Sequence, residues 1–145
     1  MTHPLALLRP RWLLWLLAST SLPLAAQTVV CHVNYGGEDR AVIASPVDSP
    51  YGVKGVEVGS YFIFRVVNQT RPTDLASVKV YTYTNHDDAP ALIHQATYSP
   101  AQVAQRLAKG AAHGFTGLHH VYEPVRDGEM QYWCEKHAAS PQGQP

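Results

Sequence analysis

The sequence lacks the short motifs that identify common catalytic sites. It has no Gly-x-Ser-x-Gly elbow, no phosphate-binding glycine loop, no dinucleotide fingerprint and no His-Glu-x-x-His or Cys-x-x-Cys pair. We therefore expect a protein that is not an enzyme. A small hydrolase whose site is assembled only by the fold stays open as an alternative.

The chain also lacks an excess of charge of either sign. It contains 11 Lys and Arg residues against 11 Asp and Glu residues. Arg9 and Arg11 belong to the first 26 residues, so the remaining 119 residues carry 9 basic and 11 acidic side chains, a net charge of −2. Nucleic-acid binding normally requires a basic surface, and anionic membranes attract basic segments. The balance of charge therefore argues against a nucleic-acid partner.

Long hydrophobic runs are absent except near the start. Arg9 and Arg11 precede the apolar residues 12–18, the polar and turn-forming residues 19–23, and small residues that end at Ala26. This run is too short and too interrupted for a membrane-spanning helix, which needs about 20 apolar residues. It is typical of a signal peptide cleaved after Ala26. The sequence therefore predicts a periplasmic or secreted protein with no stable membrane insertion after cleavage.

Only two cysteines are present, Cys31 and Cys134. They lie near opposite ends of the chain that remains after cleavage, each in a β-like segment. Two cysteines in one domain of an exported protein most simply pair with each other. We predict a disulfide that ties the first strand to the last.

The chain from residue 27 onwards is dominated by short β-prone runs between turn residues. Residues 61–67 form the best of these runs, with apolar side chains on both faces as in a central strand. Arg65 interrupts one face, and we expect it to extend to solvent or to pair with a carboxylate. The other predicted strands comprise residues 28–35, 40–45, 53–58, 78–84, 91–98, 115–122 and 129–135.

One helix interrupts the β pattern. Ser99 is a good N-cap, Pro100 suits the first helical position, and Gly110 can end the helix, which predicts a helix over residues 100–109. The whole pattern favours an all-β fold: a small two-sheet sandwich, immunoglobulin-like, of seven to eight short strands, with a small barrel as the alternative. We assign residues 27–137 to this single domain and residues 138–145 to a disordered tail.

Histidine is unusually frequent, with seven copies after residue 26. Neutral imidazole is a ligand for zinc, copper and nickel. The candidate metal ligands are His86, His94, His113, His119 and His120, and His86, His94 and Asp88 could meet across a hairpin. Because neighbouring residues of a strand point to opposite faces, His119 and His120 should not bind the same ion.

Tyrosine supplies the candidate binding surface. Tyr81 and Tyr83 are two residues apart in a predicted strand, so they should project from the same sheet face. Tyrosines on a sheet face offer rigid contact area with a polar tip. We expect a non-catalytic exported β-sandwich that binds a protein or a cell-envelope component and needs no cofactor. The alternative is a periplasmic protein that binds or handles a Cu or Zn ion through its histidines.

Overall fold

The computed structural model describes residues 27–86 and 88–138, and these residues form two antiparallel-rich sheets with one short helix, which confirms the all-β sandwich. The predicted signal peptide lies outside the described residues. The last strand includes Ala138, one residue beyond the predicted domain end, and the rest of the predicted tail also lies outside the described residues.

Nine strands and one helix follow one another in the described residues. In chain order they are β1 Gln27–Tyr35, β2 Glu38–Ala44, β3 Pro46–Val47, β4 Val56–Val58, β5 Phe62–Gln69, β6 Ser77–Thr84, β7 Ala91–Tyr98, α1 Pro100–Ala108, β8 His119–Glu123 and β9 Gly128–Ala138. The first sheet has the order β2-β1-β9-β8. The second has the order β3-β5-β6-β7, with β4 also paired to β5.

The first and last strands lie side by side in the middle of the first sheet. Every residue of β1 has a partner in β9, and Cys31 is directly opposite Cys134. The two cysteines form the predicted disulfide, with an S–S distance of 2.03 Å. The bridge therefore joins neighbouring strands of one sheet, whereas the bridge of an immunoglobulin domain connects its two sheets.

A two-residue turn joins β1 to β2. Gly36 and Gly37 both have positive φ values, 61° and 82°, as a type I′ hairpin turn requires. Tyr35 pairs with Glu38, so Glu38 and Asp39 belong to β2. Gly36 and Gly37 alone therefore form the turn, because glycine supplies its conformation within two positions.

The core fills the space between the sheets with alternating residues from both. Val29, Cys31 and Val33 of β1 point inward, and the buried positions of β6 alternate in the same way. Phe64 of the second sheet contacts Tyr132 of the first, with ring centroids 5.1 Å apart. Full burial of one such side chain contributes about 1.5–3 kcal/mol.

Helix α1 begins as predicted and ends at Ala108, with Lys109 as its C-cap. Ser99 and Gln102 form a reciprocal capping box, which satisfies two backbone amides at the start of the helix. Val103 is its buried side chain, and Leu107 stays 40% exposed. The helix thus attaches to the sandwich by a narrow apolar contact.

The prediction of a strand over residues 115–122 is wrong in its first half, because β8 begins only at His119. Gly114 and Gly117 have positive φ values and turn the chain on either side of Phe115. The Phe115 amide donates to the Cys134 carbonyl at 3.0 Å, and the Cys134 amide donates to Thr116 Oγ1 at 2.7 Å. Single hydrogen bonds therefore join this loop to β9, and not the continuous hydrogen-bond ladder of a paired strand.

Loss of the disulfide should destabilise the domain strongly. The bridge closes a loop across a sequence separation of 103 residues, for which chain entropy gives up to about 4.7 kcal/mol. We expect the double variant Cys31→Ala, Cys134→Ala to lose most of this amount from its free energy of unfolding, measured by guanidinium denaturation. Cys31→Ala alone should lose about as much, because either variant removes the bridge. A double variant within about 1 kcal/mol of the native protein would contradict this account.

Candidate functional site

A group of two histidines and two tyrosines lies between the sheets at one edge of the sandwich. His94 and Tyr98 come from β7, the edge strand of the second sheet, and His119 comes from β8, the edge strand of the first. Tyr132 comes from β9 and is directly opposite His119 in the register. We call these four residues the His–Tyr cluster.

Strand periodicity explains why the four side chains meet. His94 and Tyr98 are four residues apart in β7, so both project to the same face, and their partners Thr82 and Val78 are buried. Tyr132 is fully buried, Tyr98 is 5% exposed, and the two histidines are partly exposed at the edge.

The polar atoms of the cluster are in direct contact. His94 Nε2 lies 2.7 Å from the Tyr132 hydroxyl, and His119 Nε2 lies 2.9 Å from the Tyr98 hydroxyl. His119 Nε2 also lies 3.2 Å from the Thr116 carbonyl oxygen. The His94 and His119 ring centroids are 5.5 Å apart, and the His119 ring stacks on Tyr132 at 4.9 Å.

Burial keeps these groups uncharged. It lowers the pKa of His94, which the neighbouring His119 lowers further. Burial also lowers the pKa of His119, with Arg106 and His120 acting in the same direction and the hydrogen bond to Thr116 opposing them. The pKa values of Tyr98 and Tyr132 are raised, mainly by burial. At neutral pH both imidazoles are therefore neutral and both phenols keep their protons.

A buried hydroxyl without a partner lies next to this cluster in the sheet. Thr82 is directly opposite His94 in the β6–β7 register, so the two side chains share the inner face. The Thr82 hydroxyl is fully buried and has no hydrogen-bond partner among the described residues. Most buried polar groups in proteins are paired, so this one marks the inner side of the cluster as polar and incompletely satisfied.

The outer face of the first sheet presents a second site. His32 of β1 and Trp133 of β9 are directly opposite each other, and their rings stack at 4.0 Å with an interplanar angle of 14°. His113 approaches the edge of this indole, with its centroid at 5.9 Å. Trp133 is partly exposed, and 40% of the His32 side chain is exposed.

Two open depressions flank this stacked pair. One has a volume of about 230 Å³, and Asn34, Asp39 and Gln131 contribute polar groups to it. The other, of about 350 Å³, extends over β2 and includes Arg40. Asn34 donates to Asp39 at 2.7 Å, so these two side chains are held in place. We call the surface formed by these residues the Trp133 face; it comprises His32, Asn34, Asp39, Gln131 and Trp133.

Two carboxylates on the same sheet are paired with histidines. Glu135 Oε1 lies 2.9 Å from His32 Nε2 and 3.0 Å from His137 Nε2, and these hydrogen bonds lower the pKa of Glu135. Glu129 contacts His120 Nδ1 at 2.9 Å, which lowers the pKa of Glu129. These imidazoles therefore have nearby carboxylates, unlike those of the His–Tyr cluster.

The predicted tyrosine surface lies on the outer face of the second sheet. Tyr81 and Tyr83 project from the same face, as expected, and their rings stack at 6.3 Å. The Arg65 guanidinium lies 5.2 Å from the Tyr81 ring centroid and donates to the carbonyls of Val53 and Pro50. Arg65 therefore contacts carbonyl oxygens and an aromatic ring, and not the expected carboxylate.

The structure brings together two of the five predicted metal ligands, His94 and His119. His120 projects from the opposite face of β8, His113 contacts Trp133, and His86 follows the end of β6. Among the described residues, no three or more His, Cys, Asp or Glu side chains are arranged to hold a metal ion. The combination of His86, His94 and Asp88 is therefore not assembled.

Four residues that shape these sites were not predicted from the sequence: His32, Tyr98, Tyr132 and Trp133. The alternation along β7 and β9 was a usable signal for Tyr98 and Tyr132, which fall on the inward positions of their strands. The pairing of His32 with Trp133 depends on the register between β1 and β9, which the sequence does not display.

Comparison of the chain with protein-family models, with curated proteins and with solved structures finds no significant match in any of the three. Of the helices within residues 27–86 and 88–138, none has the length and apolar character needed to cross a bilayer.

Acidification should destabilise the fold through the His–Tyr cluster. The pKa values of His94 and His119 lie below the ordinary value of 6.5. As the pH falls, the unfolded chain therefore binds protons at a higher pH than the folded chain does. Stability should therefore fall as the pH decreases from about 6.5 through the folded-state pKa values. We expect urea denaturation at several pH values, with a chelator present, to show this loss.

The double variant His94→Gln, His119→Gln should flatten that pH dependence, and His86→Gln, which follows the end of β6, is the matched control. A native pH profile in the double variant would show that other groups cause the loss. The carboxylates with lowered pKa values, Glu129 and Glu135, act at lower pH and do not obscure this window.

Proposed function

We propose that the protein is an exported, non-catalytic β-sandwich that binds a glycan of the cell envelope through the Trp133 face. The observation that carries this proposal is the stacked, partly exposed pair of Trp133 and His32 between two open depressions. A large aromatic side chain that stays accessible on a sheet face is a common anchor for a ligand.

The polar residues around the stacked pair suit a ligand rich in hydroxyl groups. Asn34 and Gln131 offer amide donors and acceptors, and Asp39 offers acceptors. A sugar ring presents an apolar face, which can lie against an aromatic ring, and hydroxyls that pair with amides and carboxylates. The open depressions suit a chain molecule lying across the sheet better than an enclosed small molecule.

The compartment is supported by the disulfide and the N-terminal sequence. Disulfides such as Cys31–Cys134 persist in oxidising compartments outside the cytosol. The first 26 residues have the composition of a signal peptide. A location in the periplasm or outside the cell would place the Trp133 face in contact with envelope glycans.

Tryptophan fluorescence gives a direct test of this proposal. In a protein processed after Ala26, Trp133 is the only tryptophan, because Trp12 and Trp15 have been removed. Titration with soluble glycan fragments released from purified cell walls should change its emission saturably. We expect Trp133→Ala to weaken binding, measured by calorimetry, by at least about 2 kcal/mol, a factor of about 30 in Kd.

Two further variants locate the binding face. Asn34→Ala keeps the fluorescent reporter and should weaken binding, whereas the double variant Tyr81→Ala, Tyr83→Ala on the opposite sheet should bind normally. Loss of binding in the tyrosine variant alone would move the site to the second sheet. If no glycan fragment binds and a protein partner is lost specifically in Trp133→Ala, the ligand is a protein and the glycan proposal is wrong.

A further inference from the structure

We propose that the His–Tyr cluster binds one Cu²⁺ ion through His94, Tyr98, His119 and Tyr132. This inference is independent of the glycan proposal, because the Trp133 face is on the outer side of the sheet and the cluster is on the inner side. It uses two of the predicted histidine ligands and adds two tyrosines that were not predicted as ligands.

The contacts within the cluster are compatible with a coordination sphere. Ligand bonds of about 2.0 Å place neighbouring donor atoms about 2.8–3.3 Å apart, depending on the geometry. The contacts between His94 Nε2 and Tyr132 and between His119 Nε2 and Tyr98 are 2.7 Å and 2.9 Å. The His94 and His119 ring centroids are 5.5 Å apart, so the two pairs are neighbours and the proposed ion lies between them.

The donor types favour copper over other common ions. A set of two imidazoles and two phenol oxygens is a nitrogen–oxygen site, and Cu²⁺ binds such sites most tightly among divalent first-row metals. No third His, Cys, Asp or Glu in the described residues converges here to complete a zinc-type site. Two ionised phenols would also neutralise the two positive charges of the ion in a partly buried place, where an unpaired charge is unfavourable.

Burial raises the pKa values of Tyr98 and Tyr132, so the phenol protons compete with the ion and binding should strengthen as the pH rises. Each phenol that becomes a ligand releases its proton to solvent, so binding is coupled to pH. Arg106, which lies 5.3 Å from the Tyr98 ring centroid, favours ionisation of Tyr98 and opposes the cation itself. To bind the ion through Nε2, His119 must carry its proton on Nδ1. The His119 Nε2 atom then loses its contact with the Thr116 carbonyl oxygen.

The neighbouring Thr82 supplies an independent observation. Its buried hydroxyl has no partner among the described residues and is on the same face as His94, directly opposite in the register. A metal-bound water or hydroxide on the inner side of the cluster would give this hydroxyl a hydrogen-bond partner. The rings of His94 and His119 are partly exposed at the edge of the sandwich, so this is the side from which an ion would enter.

Copper titration of the purified oxidised protein tests the proposal. We expect one equivalent of Cu²⁺ to bind, with release of protons and with a visible charge-transfer band from phenolate to copper. Surface imidazoles alone give no such band, so the band reports tyrosine ligation in the native protein without any substitution. Zn²⁺ should bind more weakly in a parallel titration.

Variants then assign the ligands. Loss of an outer-shell partner weakens metal binding roughly 10- to 100-fold, and Tyr98→Phe and His94→Gln should each weaken Cu²⁺ binding by more than this. Tyr98→Phe should also reduce the phenolate-to-copper band. Tyr122→Phe and His120→Gln, which change outer-face positions of β8, are matched controls and should leave both unchanged. Circular dichroism and Trp133 emission check that each variant is folded.

Three results would overturn the proposal. The first is copper binding without a phenolate band in the native protein. The second is a band that survives unchanged in Tyr98→Phe and in Tyr132→Phe. The third is loss of binding in His137→Gln, which would place the ion at the pair of histidines around Glu135 on the outer face.

Discussion

The antiparallel pairing of β1 with β9 is the interaction on which the rest of the structure depends. It joins the two ends of the domain in the middle of the first sheet, and every residue of β1 takes part. β2 and β8 pair only with the outer sides of these two strands. The Cys31–Cys134 bridge is at the same place, so the covalent link and the hydrogen-bond ladder reinforce one contact. Both candidate sites depend on this pairing, because it places His32 against Trp133 and positions Tyr132 for the inner cluster.

Local patterns in the sequence account for much of the fold. The apolar run in residues 61–67, the β-prone residues 78–84 and the Ser99–Pro100 helix start all correspond to observed elements. Each of these signals acts over a few residues. β3 was missed because Pro46 breaks most strands, although proline is tolerated in a short edge strand. The loop at Phe115 was mistaken for a strand because its β-prone residues are held by glycine turns and by contacts with a distant strand.

The candidate sites were harder to predict, since they depend on which strands become neighbours. The sequence correctly separated His119 from His120 and placed Tyr81 beside Tyr83, because both inferences need only the period of a strand. It could not bring His94 to His119, since β7 and β8 belong to different sheets and meet only at the edge of the sandwich. A tyrosine buried beside a histidine is also indistinguishable, in sequence, from one that packs in the core.

The position of β9 has a consequence for the order in which the molecule is built. The second sheet is largely a local meander, because β5, β6 and β7 are consecutive in the chain and adjacent in space. The first sheet cannot be completed until the last strand is available, and pairing over such a separation is slow.

A chain crossing a membrane from its N-terminus would therefore leave β1 with one edge unpaired during most of its translocation. Until β9 arrives, that edge is open to pairing with other chains. In such a chain the domain would become protected from self-association only when its final strand has emerged.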